Sequence, residues 1–159
     1  MKGLVVYDSV FGNTERVAQA IGEALGASGE VTTVKVTDVM AEHLDGVSVL
    51  VVGSPTRAFK ATPATMTWIK GLPAGVLNGV SIAAFDTRID PEDTNSGFLK
   101  FMVSIFGYAA KPILKALERK GGQPVAEPEG FVVLGSEGPL RDGELARAAT
   151  WAQQVAAGG

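Results

Sequence analysis

At 159 residues, with 46% hydrophobic and 19% charged side chains, the chain has the size and composition of one well-cored domain (1–159) and not of a disordered segment. A net charge of −3, from 17 acidic and 14 basic residues with no basic stripe, argues against a nucleic-acid partner. The absence of cysteine excludes disulfides, thiol chemistry, iron–sulfur ligation and sulfur-built zinc sites.

The first apolar run, Gly3 to Tyr7, is predicted to be a strand. It is too short for a signal-peptide core or a membrane span, so a cytoplasmic protein is expected. A helix follows over Thr14 to Leu25, where Val17, Ile21, Ala24 and Leu25 recur at helical spacing before Gly26 and Gly29. The second strand, Val31 to Val36, alternates and suits an edge; a weak helix is expected within Val39 to Leu44. The third strand spans Val47 to Val52, a helix Pro63 to Lys70, and the fourth strand Val80 to Phe85. After the long connection Asp86 to Gly107 come a helix over Tyr108 to Lys120, a fifth strand over Phe131 to Leu134 and a last helix over Gly143 to Ala157. Strands one, three and four are apolar on successive residues, as in a parallel sheet covered on both faces. Right-handed crossovers then give a doubly wound α/β fold, an open sheet of five parallel strands in the order 2-1-3-4-5 with helices on both faces.

The string Asp8-Ser9-Val10-Phe11-Gly12-Asn13-Thr14-Glu15 joins the first strand to the first helix. Amide groups at a helix start are unpaired and carry the positive end of the dipole, so they favour an anion. Ser9, Asn13 and Thr14 add side-chain donors and Gly12 allows a close turn, while no Lys or Arg is present. A phosphate here is held by neutral donors; the alternative is a polar turn that merely opens a helix. No GxxxxGK[ST] or GxGxxG string occurs, and Ser54 stands where a phosphoacceptor domain needs an aspartate. His43 is the single histidine and GxSxG is absent, which excludes a Ser-His-Asp hydrolase; the acidic residues lack metal-ligand spacing.

Ser9-Val10-Phe11-Gly12-Asn13-Thr14 resembles the phosphate-binding loop of flavodoxins, a Ser/Thr-x-x/Thr-Gly-Asn-Thr type of string after the first strand. Gly138-Pro139-Leu140 followed by Gly143-Glu144 is similar to their C-terminal region, and the strand and helix order agrees over nearly the whole chain. Flavodoxins are a standard instance of the 2-1-3-4-5 order, with flavin mononucleotide (FMN) at the switch point between strands one and three. The resemblance implies FMN as cofactor, with the phosphate on Ser9 to Thr14. It places the ring between Ser54-Pro55-Thr56-Arg57-Ala58-Phe59-Lys60 and Asp86-Thr87-Arg88-Ile89.

Neither flanking loop carries the Trp or Tyr that many members stack on the ring. Phe59 is the nearest candidate, with Phe98 or Phe101 supplied by the long connection. Nor is there a glycine between Ser54 and Ala61. Carrier flavodoxins surround FMN with acidic residues, whereas this chain offers Arg57, Lys60 and Arg88, cations that favour an anionic reduced ring and a higher potential. Asp90, Glu92 and Asp93 form an acidic rim suited to a basic redox partner protein, and Phe98, Phe101, Met102, Ile105 and Phe106 recur as a helical apolar stripe that could shield the ring or form a homodimer contact. Three functions follow. The first is an FMN electron carrier between a reductase and an acceptor; the second is an FMN-dependent NAD(P)H:quinone oxidoreductase. The third is a flavin-free interaction domain on the same fold.

Overall fold

The computed structural model describes residues 1–93 and 96–159; the side chain of Asp93 lies outside the description, and with it that part of the expected acidic rim. Six strands form one parallel sheet: β1 (Lys2–Tyr7), β2 (Glu30–Lys35), β3 (Val49–Pro55), β4 (Ser81–Ile89), β5 (Gln123–Pro124) and β6 (Glu129–Val133). The helices are α1 (Asn13–Gly26), α2 (Pro63–Gly71), α3 (Gly97–Phe106), α4 (Ala110–Glu118) and α5 (Glu144–Gly158). The order is β2-β1-β3-β4, with both β5 and β6 on the outer side of β4. The 2-1-3-4-5 doubly wound fold is therefore what the chain adopts.

Alternation along the central strands builds the two layers of core. Leu4 and Val6, Leu50 and Val52, and Ile82 and Ala84 face one way, onto Ile69 of α2 and Ile113 and Leu117 of α4. Val5, Val51, Ala83 and Phe85 face the other way, onto Val17 and Ile21 of α1 and Trp151 and Val155 of α5. That double coverage is why these strands read as unbroken apolar runs. Gly53 lies beside Phe85 in register, and a Cβ there would come within 2.0 Å of the ring, so only glycine lets that ring lie over β3.

Three expectations are corrected. The crossover after β2 holds no α-helix but two 3₁₀ turns, Val36–Asp38 and Ala41–Leu44, because Val36, Val39 and Leu44 reach the core without the periodicity of a helix face. The last strand is split: Gln123–Pro124 pairs with Ser81–Ile82, the chain leaves the ladder, and Glu129–Val133 resumes it opposite Phe85–Ile89. Leu134 falls outside the sheet. Third, β3 and β4 run further than their apolar cores, so Ser54 and Pro55 close β3 and Asp86 to Ile89 lie within β4 rather than in a loop. Pairing of β6 with those four residues supplies the hydrogen bonds that continue the strand.

Candidate functional site

An open cleft of about 260 Å³ lies at the carboxyl ends of β1, β3 and β4, where the strand order reverses. Its walls are Val10, Phe11, Asn13 and Thr14 from the first loop, Pro55, Thr56, Arg57 and Ala58 from the second, and Thr87, Arg88 and Ile89 from the end of β4. Eleven of the seventeen residues in the three strings singled out from sequence thus share one cavity.

The first loop is built as an amide nest. Gly12 takes φ 93°, a left-handed conformation that turns the chain into α1. Ser9 Oγ accepts from the Gly12 amide at 3.1 Å and the Glu15 amide at 3.4 Å, which leaves its own hydrogen free to donate. The amides of Val10, Phe11, Asn13 and Thr14 have no acceptor among the described residues. Thr14, 2% exposed, meets Thr87 hydroxyl to hydroxyl at 2.8 Å, and Asn13 Nδ2 donates to the Glu137 carbonyl at 3.1 Å. Those two bonds tie the start of α1 to β4 and to the segment after β6.

The second loop is a strained turn. Arg57 and Lys60 exchange backbone bonds of 2.8 and 3.0 Å across Ala58 and Phe59, which take φ of 47° and 68°. Both lie in the left-handed region without the freedom of glycine, a cost of order 1 kcal/mol each. Ser54, fully buried, accepts from the Thr62 amide at 2.9 Å and so holds the base of the turn against the start of α2. Arg57 stays exposed, its guanidinium 6.0 Å from the centre of the Phe11 ring across the cleft, and forms no ion pair among the described residues.

Arg88 differs from Arg57. Asp86 and Arg88, two apart on β4, share the α4 face of the sheet, and Nε and Nη2 of Arg88 reach Oδ1 and Oδ2 of Asp86 at 2.6 and 2.7 Å. Asp86 is fully buried, also accepts from the Ala110 amide at 2.9 Å, and does not line the cleft. Burial pushes its carboxyl above the ordinary value, while the Arg88 bonds and the Ala110 amide pull it back. The Arg88 guanidinium also stacks on Tyr108 at 3.7 Å.

Ser9, Gly12, Ser54, Phe59 and Asp86 support the cavity without forming its wall. Phe59 turns toward α3, where it stacks on Phe106 with ring centroids 5.8 Å apart. Phe98 and Phe101 stand in solvent, 72% and 59% exposed, and do not line the cleft. Leu99, Val103 and Tyr108 instead wall a second gap beneath α3, which shares Thr56, Ala58, Arg88 and Ile89 with the cleft. Sequence reasoning missed Val133 and Ser136, which complete the cleft from the end of β6. The rule that singled out the other carboxyl-end loops applies equally to Ser136.

The neutral donor set around Gly12 fits a phosphate monoester, and the adjoining cleft between Pro55–Ala58 and Thr87–Ile89 is walled for a mixed polar and aromatic body. Three solved structures share the fold. A flavodoxin from the domain Archaea has 23% identity over 99% of this chain and 97% of its own, with a TM-score of 0.73. A short-chain flavodoxin associated with a non-canonical PDU bacterial microcompartment has 17% identity over 98% of this chain and 96% of its own, with a TM-score of 0.75. Oxidised flavodoxin 1 from Bacillus cereus has 15% identity over 98% of this chain and 97% of its own, with a TM-score of 0.72. The sequence profile of the flavodoxin family matches residues 5–151, and the chain belongs to that family.

Proposed function

We propose that the chain binds FMN in this cleft and works as an electron-transfer protein that passes electrons between a reductase and an acceptor. The observation that carries the reading is the group of unpaired amides at Val10, Phe11, Asn13 and Thr14, gathered around a left-handed Gly12 at the N-terminus of α1. Those amides and the Ser9 hydroxyl would hold the phosphate, with Thr14 braced by Thr87. Pro55 to Ala58 on one side and Thr87 to Ile89 on the other would flank the ring. Bound there, FMN supplies one- and two-electron redox chemistry that the side chains of this cysteine-free sequence do not provide at ordinary potentials. The chain's own work is to bind, to orient and to set the local charge.

The charge at the cleft is cationic. Arg57 is exposed and without an ion pair among the described residues, whereas the charge of Arg88 is matched by Asp86. An exposed guanidinium at the cleft is the one feature that favours the second reading, an NAD(P)H:quinone oxidoreductase, because it suits an anionic nucleotide. The acidic rim gives less support to a basic docking partner. Asp90 meets Arg141 at 3.6 Å and Glu92 meets Lys100 at 3.4 Å, so both carboxylates already face cations of the chain.

Two measurements test the proposal. Protein incubated with excess FMN and then desalted should keep the yellow absorbance, and loss of all colour would end the flavin reading. Anaerobic mixing with NADPH should leave the oxidised spectrum of a carrier in place; rapid bleaching would transfer the assignment to the reductase.

A further inference from the structure

Helix α3 is built from apolar residues yet none of them is buried. Seven of its ten residues are large and apolar, in the run GFLKFMVSIF. Helical spacing divides them into two faces. Leu99 and Val103 turn inward over the Ala58–Phe59 turn, and Phe106 is held by the Phe59 ring. Phe98, Phe101 and Ile105 turn outward, 72%, 59% and 57% exposed, with Lys100 and Ser104 as the narrow polar strip.

The exposure is not spread over the molecule. Of the ten exposed large hydrophobic side chains among the described residues, seven belong to segments leaving the carboxyl ends of β1, β4 and β6. Val10 and Phe11 on the first loop add to the α3 residues at that end. Nearby, Arg57 and Lys60 on the second turn and Lys111 at the start of α4 are exposed cations with no ion pair among the described residues. Glu92, the described carboxylate nearest α3 in sequence, is occupied by Lys100. An apolar patch rimmed by unmatched cations is complementary to an apolar layer with an anionic face.

Length decides how such a helix meets a bilayer. Gly97–Glu118 contains a window of mean hydropathy 1.2, but the chain breaks at Gly107, φ 69°, and Ile113 and Leu117 of the second half belong to the core. What remains is ten residues, about 15 Å at ~1.5 Å per residue, half of a hydrocarbon layer of ~30 Å, which suits a helix lying flat in the interface. A second copy fits less well, because a two-fold contact through α3 would bring the same unmatched cations together.

We propose that α3 lays its outer face into an anionic lipid surface, with Phe98, Phe101 and Ile105 at the acyl boundary and Arg57, Lys60 and Lys111 among the headgroups. The cleft at the carboxyl ends of the strands then opens beside the lipid. Binding of this kind is peripheral and reversible, driven by apolar burial and assisted by charge.

The full chain, with and without FMN, is tested by flotation with vesicles of phosphatidylglycerol and phosphatidylcholine in equal parts. The expected result is flotation with these vesicles, weakened by added salt and by replacement with pure phosphatidylcholine. The triple variant Phe98→Ser/Phe101→Ser/Ile105→Ser should lose roughly tenfold or more in bound fraction, since three apolar side chains leave the lipid. Its melting temperature should stay at that of the parent, as none of the three is buried. The double variant Lys60→Glu/Lys111→Glu should also bind less, by an independent route. A parent chain that never floats, or a triple variant that floats equally well, overturns the proposal. A parent dimer that the triple variant converts to a monomer, without flotation, assigns the face to a second copy instead. Neither readout depends on flavin, so failure here and failure of the FMN reading are separate results.

Discussion

The hydroxyls of Thr14 and Thr87 meet at 2.8 Å, joining the first turn of α1 to β4 beneath the cleft. Both residues are buried, so each hydroxyl needs the other. With Thr87 as donor, the Thr14 hydrogen is free to point at a phosphate. Thr87→Val should therefore weaken FMN binding severalfold and lower stability by about 1–2 kcal/mol, the usual cost of a lost buried hydrogen bond. Fluorescence titration with FMN and a urea melt measure the two effects, and an unchanged dissociation constant would remove the pair from the binding site.

Ala58→Gly should stabilise the protein. Ala58 sits at φ 47°, where a Cβ is penalised and glycine is not. Relief of about 1 kcal/mol corresponds to a rise of roughly 2–4 °C in melting temperature for a chain of this size. A melting temperature at or below that of the parent would show that the turn carries no strain at this position.

Arg57→Ala should lower the reduction potential of the FMN-loaded protein, because an exposed cation at the cleft, with no ion pair among the described residues, favours an anionic reduced ring. The shift should shrink with added salt, as expected for an exposed charge. A spectroelectrochemical titration measures it, and a potential that stays put or rises would exclude Arg57 from tuning.

Glu144 should contribute to the loss of stability in acid. Burial alone would raise its carboxyl, but bonds from Arg147 at 2.8 and 2.9 Å and from the Val132 amide at 2.6 Å hold it below the ordinary 4.5. A lowered acid releases its proton more readily in the folded state, so its contribution is complete above the ordinary value and is lost as pH falls through the folded one. Glu144→Gln should cost about 1–3 kcal/mol at neutral pH, and the gap from the parent should close below pH 4.5. A gap that is independent of pH in chemical denaturation would argue for packing instead of charge.

The strand order and the first loop were legible because both depend on local pattern: unbroken β-branched runs for buried strands, and Gly12 between donors ahead of the Val17–Ile21 stripe. The charge arrangement around the cleft was not. Read as a loop, Asp86 to Ile89 gives no rule for which side chains meet; as strand, its period of two puts Asp86 beside Arg88 and Thr87 opposite Thr14. That extension depends on β6, more than forty residues away; the run Phe131 to Leu134 is readable as a strand, but no local pattern fixes its register opposite Phe85–Ile89. Whether the α3 stripe covers the cleft or faces outward is left open by the sequence for a related reason. Periodicity reports that Phe98, Phe101 and Ile105 share a side of a helix, and says nothing of whether that side meets protein.

Asp86 and Arg88 divide labour between neighbouring arginines. Because the carboxylate absorbs the positive charge at 88, that arginine contributes little net field to whatever occupies the groove, while Asp86, which also accepts from the Ala110 amide, anchors α4 to the sheet. Position 57 has no such obligation. An engineer can therefore vary the electrostatic setting of this protein at one exposed side chain and leave its architecture intact, whereas the same substitution at 88 would strand a carboxylate in the interior.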